Sequence, residues 1–190
     1  KKGSVGTPII GEQVKIADPD ENGEGESGVK GPNVMLGYFN DPEATAAAID
    51  KDGWLHTGDP ACRTPEGNYR ITGRLKDMII RGGENIYPKE IEEFIYTHPK
   101  VSDVQVIGVP DKAMGEEIMA CIILKEGETM TVEEMKKYVL DHMAKHKVPK
   151  YIDFVDSFPM NDAGKIQKYK MREWAVQKLG LQKDAAIETA

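Results

Sequence analysis

Three stretches of this sequence combine residue types and spacings that can do chemistry. Thr57-Gly58-Asp59 sets a carboxylate beside a glycine, just after an expected strand, where a ligand can approach the backbone closely. Two carboxylate oxygens can accept from two neighbouring hydroxyls, such as those of a sugar. Gly73-Arg74-Leu75-Lys76-Asp77 offers, on Arg74, a fixed fork of donors for hydroxyl, carboxylate or phosphate oxygens. Pro159-Met160-Asn161-Asp162-Ala163-Gly164-Lys165-Ile166 carries Lys165 on a glycine-containing loop ahead of a helix, where it can act as a mobile positive charge. Each also has a plain structural reading: a simple turn for Thr57-Gly58-Asp59, a solvated connector around Arg74, and a turn with an exposed lysine at Lys165. The spacing around Lys165 is not the G-x-x-x-x-G-K-[ST] of a phosphate-binding P-loop.

Other features are weaker. His142 and His146 lie four apart on an expected helix, but no H-E-x-x-H and no third ligand accompany them, so no metal site is assigned. Gly82-Gly83 reads as a tight turn between strands, or as a backbone nest for an anion. Lys145, His146, Lys147 and Lys150 form a local basic cluster that meets phosphate or solvates a helix end. Cys62 and Cys121 are the only cysteines and show no C-x-x-C spacing, which argues against a disulfide framework or zinc and suits a reducing cytoplasm.

The elements that must position these residues fall into two stretches. Residues 1–73 hold short extended pieces, such as Gln13–Ile16 and Trp54–Thr57, between turn formers. Their one short helix starts at Pro42, capped by Asp41, and runs on to Ile49. So many strands with so few apolar residues are expected not to close a core alone, which makes this stretch look like part of a larger domain.

Residues 74–190 read as a small α+β domain in the order β-α-β-β-α-β-α. It begins with the apolar run Met78-Ile79-Ile80. A helix follows from Pro88, with Ile91, Phe94 and Ile95 on one face. Strands over Val101–Val109 and Ile118–Leu124 should pair around Pro110-Asp111. Thr131 and Glu134 form a capping box for a helix through about Lys145, with Met135, Val139 and Met143 on its apolar side. A strand over Tyr151–Val155, a helix over Lys168–Leu179 stopped by Gly180, and a frayed polar tail complete the expectation.

The 190 residues carry 25 basic against 32 acidic side chains, a net charge of −7, which excludes a broad nucleic-acid surface. No run approaches the length of a membrane span, and Lys1-Lys2-Gly3 is not followed by the apolar stretch of a signal peptide.

Taken in order, the blocks Gly3–Pro8, Gly31-Pro32-Asn33-Val34-Met35-Leu36-Gly37-Tyr38, Asp52–Asp59, Gly73–Ile80, Gly83-Glu84-Asn85-Ile86-Tyr87-Pro88-Lys89-Glu90-Ile91-Glu92 and Gly164-Lys165-Ile166-Gln167-Lys168 change the odds. The chain resembles the carboxyl-terminal part of the adenylate-forming superfamily, which includes acyl-CoA synthetases, firefly-type luciferases and peptide-synthetase adenylation domains. Its wording is most similar to fatty-acyl or medium-chain acyl-CoA synthetases. The resemblance implies the terminal β-rich portion of a large domain followed by a small mobile lid domain. It further implies ATP, with Mg²⁺ accompanying it, CoA, and a fatty or related carboxylic acid as substrates.

The resemblance also assigns roles. Asp59 would hold the ribose hydroxyls of ATP, and Arg74 would contact ribose and nearby nucleotide oxygens. Lys165 would reach the α-phosphate and the substrate carboxylate. Lys76 would be the hinge of the small domain, and Gly82, Gly83, Glu84 and Asn85 the loop brought towards the pantetheine channel. Relatives often carry lysine where this chain has Ile80, and neighbouring Arg81 is a candidate substitute. The phosphate loop and acyl pocket of the family precede this region, so the chain alone is expected to be inactive and to depend on a missing N-terminal domain. Two alternatives stand beside the ligase: an adenylation module passing its acyl group to a carrier-protein thiol, and a non-catalytic docking module.

Overall fold

A computed structural model describes residues 3–185. The chain divides between Lys76 and Asp77 into two compact units. The tail beyond residue 185, expected to fray, lies outside the described residues.

In the first unit, β1 (Gln13–Ala17), β2 (Glu24–Lys30), β3 (Leu55–Arg63) and β4 (Tyr69–Ile71) form one antiparallel sheet in the order β1-β2-β3-β4. Helix α1 (Pro42–Ala48) interrupts β2 and β3, and the Asp41 side chain accepts from Ala44 N as its cap. Tyr69 ties the sheet across its width, its hydroxyl donating to Val14 O at 2.9 Å. Ala61 is the one buried hydrophobic residue of this unit among the described residues, while Ile10, Leu36 and Phe39 stand fully in the open. Such a sheet has little apolar burial of its own to offset the cost of ordering it.

The second unit is built differently. β5 (Ile79–Arg81) and β6 (Glu84–Ile86) form a hairpin, followed by α2 (Pro88–Tyr96), β7 (Val101–Asp111), β8 (Gly115–Leu124), α3 (Val132–Leu140), β9 (Tyr151–Phe154), α4 (Lys168–Leu179) and the short α5 (Gln182–Ala185). β8 pairs with β7 along its length, with β5 at Gly115, and in parallel with β9 from Met119 to Ile122. Two cores cover the two faces of this sheet. Ile91, Ile95, Met135 and Val139 of α2 and α3 pack with Val104, Val106, Ile118 and Ile122. Met171 and Ala175 of α4 pack with Ile107, Val109, Met119 and Cys121. Strands buried on both faces read as continuous apolar runs, as Val106, Ile107 and Val109 of β7, all buried, do.

Three expectations need correction. The expected element order has one strand before α2, whereas Met78-Ile79-Ile80 opens a two-stranded hairpin; the tight turn read at Gly82-Gly83 is present, Gly82 (φ +60°) and Gly83 (φ +86°) both taking the left-handed conformations of a two-residue hairpin turn. The turn of the long hairpin lies at residues 112–114, just past Pro110-Asp111, since Asp111 still pairs with Gly115. Helix α3 stops at Leu140 instead of about Lys145. Met143 still packs on the core, but from a connecting segment that leads to a 3₁₀ turn at Lys145–Lys147. The capping box at Thr131 and Glu134 is present, both reciprocal bonds made, and Gly180 takes the left-handed conformation that ends α4.

Candidate functional site

Thr57-Gly58-Asp59 does not follow a strand as a simple turn; it lies inside β3. Glu26 pairs with Pro60 and Gly28 with His56, so three residues of β3 face Ser27 alone. This is a β-bulge, which breaks the ladder and re-aims the side chains it carries. Its interrupted backbone groups are met by side chains. Ser27 Oγ donates to Asp59 O at 2.8 Å, Thr57 Oγ1 donates to Ser27 O at 2.7 Å, and Asp59 N donates to Thr57 Oγ1 at 3.1 Å. Gly58 takes φ +70°, open to glycine and strained for other residues, and its N–H donates to Glu26 Oε1 at 2.8 Å. Glu26 Oε2 in turn accepts from His56 Nδ1 at 2.9 Å.

The bulge sets Asp59 at the edge of a cavity of about 220 Å³ lined also by Gly6, Pro8, Ser27, Thr57 and Tyr69. Asp59 Oδ1 is buried and receives no aligned hydrogen bond. Arg74 meets it as an ion pair, Nη1 to Oδ1 2.8 Å, from a side chain that is 60% exposed. The structure therefore brings Asp59 and Arg74 together within the first unit. The arrangement pairs an acceptor carboxylate with a fork of donors, and suits a ligand rich in hydroxyls and anionic oxygens.

Lys76 is exposed in the 3₁₀ turn Leu75–Asp77 at the division of the units. Lys165 belongs to the second unit. Its loop is braced at its base by the Met160–Ile166 bridge and by Gln167 N donating to Pro159 O at 2.8 Å. Asn161 Oδ1 accepts from the backbone N–H groups of Ala163 and Lys165, at 3.1 and 2.9 Å. The backbone is thus fixed while the Lys165 side chain stays exposed, with no ion pair or hydrogen bond of its own among the described residues. Just beyond, Lys168 Nζ reaches Glu92 Oε1 at 2.6 Å and Val106 O at 3.0 Å, anchoring the start of α4 to α2 and β7.

Gly82 and Gly83 form the hairpin turn, and Gly82 N donates to Met114 O at 2.8 Å. Glu84 and Asn85 follow on β6, both exposed. Arg81 is not free to replace a lysine at Ile80: its Nε and Nη2 bind both oxygens of the buried Glu117 at 2.7 and 3.0 Å. That hydrogen bonding holds its guanidinium charged still more firmly than usual. The basic cluster is largely spent as well, Lys147 on Glu90 and Lys150 on Asp111. His142, in the turn after α3, bonds through Nδ1 to Tyr138 O, His146, in the 3₁₀ turn, lies 3.8 Å from Glu84, and no group of three or more His, Cys, Asp or Glu side chains suited to a metal occurs among the described residues. Burial pushes the Cys121 thiol up to about 12, so it is no nucleophile.

Sequence comparison decides the family. Residues 90–165 match the model of the AMP-binding enzyme C-terminal domain. YngI of Bacillus subtilis (strain 168), which bears the name of an acyl-CoA synthetase, is 50% identical over 184 residues, 94% of this chain and 34% of that protein. Residues 90–165 belong to the C-terminal domain family of AMP-binding enzymes. Human ACSF2, named a mitochondrial medium-chain acyl-CoA ligase, is 53% identical over 160 residues, covering 84% of this chain and 26% of its own length. ATP-bound MatB of Rhodopseudomonas palustris superposes with a TM-score of 0.85 at 37% identity, over 93% of this chain and 36% of MatB. The chain thus spans about a third or less of the length of these adenylate-forming relatives. No helix among the described residues is long and apolar enough to cross a membrane.

Proposed function

We propose that this adenylate-forming chain is the C-terminal part of an ATP-dependent acid:CoA ligase. The observation that carries the reading is the bulge that sets Asp59 opposite Arg74, in a family whose members bind AMP. Asp59 accepts from the ribose hydroxyls, and Arg74, released from or shared with Asp59, donates to ribose and nearby nucleotide oxygens. The substrate carboxylate attacks the α-phosphorus of ATP, forming a new P–O bond as pyrophosphate leaves. Lys165 supplies a positive charge where these anions meet, lowering the barrier electrostatically. The CoA thiol, on losing its proton, then attacks the acyl carbonyl, and AMP leaves. Lys76 is the hinge that serves both steps, withdrawing Lys165 after the first and bringing the loop of Gly82, Gly83, Glu84 and Asn85 to the pantetheine channel for the second. Mg²⁺ would accompany the phosphates of ATP, as the family resemblance implies; no metal-binding cluster occurs among the described residues, and no step is assigned to an ion held here.

Medium-chain acids, the class in the ACSF2 name, are the first substrates to try. The free cysteines suit a reducing compartment, the cytoplasm in our reading beside the mitochondrial address in that name, and cell fractionation distinguishes them. The test is acid-dependent pyrophosphate release by the longer polypeptide containing this chain, with CoA or a carrier-protein thiol as acceptor. Acyl-CoA formation by the longer protein, and none by the 190-residue chain alone, is expected. Transfer only to the carrier thiol would favour the peptide-synthetase-like alternative. No acid-dependent pyrophosphate release with any acid would leave the docking-module reading.

A further inference from the structure

Glu26 stands on β2, in a polar, glycine-rich stretch that carries no periodic signal. The bulge of β3 removes the ladder partner that Gly58 N–H would otherwise have, and a partly buried N–H left without an acceptor is costly. Glu26 Oε1 fills that vacancy at 2.8 Å, while its other oxygen is taken by His56, whose far nitrogen lies 3.8 Å from Asp50 Oδ2. Gly58 is the residue immediately before Asp59, and its φ of +70° sets the direction in which the chain leaves the bulge. The hydroxyls of Ser27 and Thr57 hold the two ends of the bulge, but neither reaches the Gly58 N–H.

We propose that Glu26 is a positioning residue for the nucleotide site: by accepting the Gly58 N–H it holds the bulge open and aims Asp59 at the ribose. The proposal rests on the reading of Asp59 as the ribose-binding carboxylate. What matters is an acceptor at the right reach rather than the charge. Aspartate keeps the charge but is shorter by one methylene and falls short of Gly58. Glutamine keeps the reach and, through its amide oxygen, the acceptor, while losing the charge.

The test uses Glu26→Asp, Glu26→Gln and Asp59→Asn in the longer polypeptide, with KM for ATP, acid and CoA measured in each. We expect Glu26→Asp to raise KM for ATP by roughly tenfold, the loss of one hydrogen bond held in geometry, with the other two KM values unchanged. Glu26→Gln should stay within about threefold of the parent, a rescue that a role for charge would not produce. A misfolded fraction lowers kcat but leaves KM readable, so a destabilised variant still answers. A parental KM for ATP in Glu26→Asp, or an equal defect in both Glu26 variants, overturns the proposal. If Asp59→Asn itself leaves KM for ATP unchanged, the ribose-binding reading fails instead, whatever the Glu26 variants do.

Discussion

Arg74 places its Nη1 2.8 Å from Oδ1 of Asp59, so in this structure the donor fork of one proposed nucleotide contact rests on the acceptor of the other. Arg74 is mostly exposed and has water to return to, whereas Asp59 Oδ1 is buried beneath it. A nucleotide hydroxyl arriving at Asp59 therefore replaces an arginine contact, not bulk water. Asp59→Asn removes the charge that strengthens such bonds, worth about 1.5–3 kcal/mol, and should raise KM for ATP roughly 10- to 100-fold. An ATP titration of acid-dependent pyrophosphate release measures this, and an unchanged KM would remove Asp59 from the site.

Lys165 has a fixed backbone and an exposed ammonium, which is what an electrostatic role requires. Lys165→Ala should slow acyl-adenylate formation by on the order of a hundredfold or more, the scale of losing one positioned stabiliser. Thioester formation from a supplied acyl-adenylate should change far less. A normal rate of pyrophosphate release in the variant would sink the assignment.

Lys76→Pro fixes φ at the division of the units and removes a backbone donor. It should impair thioester formation more than adenylation, measured as CoA consumption against pyrophosphate release under single-turnover conditions. Equal losses in both would argue against a hinge at this position.

Lys150 Nζ donates to Asp111 Oδ2 at 2.5 Å and lies 3.9 Å from Glu117. The lysine's hydrogen bond holds the Asp111 carboxyl below its ordinary 3.8, and the carboxylate raises Lys150 above its ordinary 10.5. A lowered carboxyl stabilises the fold above its unfolded value and loses that contribution as pH falls through the lower folded value. A raised ammonium stabilises it below its unfolded value and loses that contribution as pH rises through the higher folded one. Both contributions are present between about pH 5 and 9. Lys150→Met should lower the melting temperature in that window, with the difference from the parent shrinking as the pH falls below about 4. A difference that stays constant down to pH 2 would show that Asp111 does not titrate against Lys150.

The parts of the fold legible in the sequence are those set by neighbours along the chain. The Asp41 cap, the Thr131–Glu134 box, the apolar face of α2 and the Gly180 stop are all written within a few residues. The bulge was not legible, because a three-against-one register between β3 and Ser27 depends on pairing with a strand 30 residues away. Glu26 escaped for the same reason, as did the commitment of Arg81 to Glu117, 36 residues on. The spacing of Val139 and Met143 suggested a longer α3, but Met143 reaches the core without helical backbone. The site motifs themselves were visible as words; what they do to the backbone was not.

Asp77, the first residue of the second unit, is gripped by Arg172 Nη2 at 2.9 Å, and Arg172 stands on α4, the helix that begins just after the Lys165 loop. The proposed pivot and the arm that carries Lys165 are thus bolted together. Were the chain slack between them, a torsion at Lys76 would be absorbed as bending before it reached the lysine. With Asp77 fastened to α4, and α4 fastened through Lys168 to α2, a turn at the proposed pivot would be delivered to the tip as displacement. At the hinge we propose, the ion pair would make a lever out of what would otherwise be a tether.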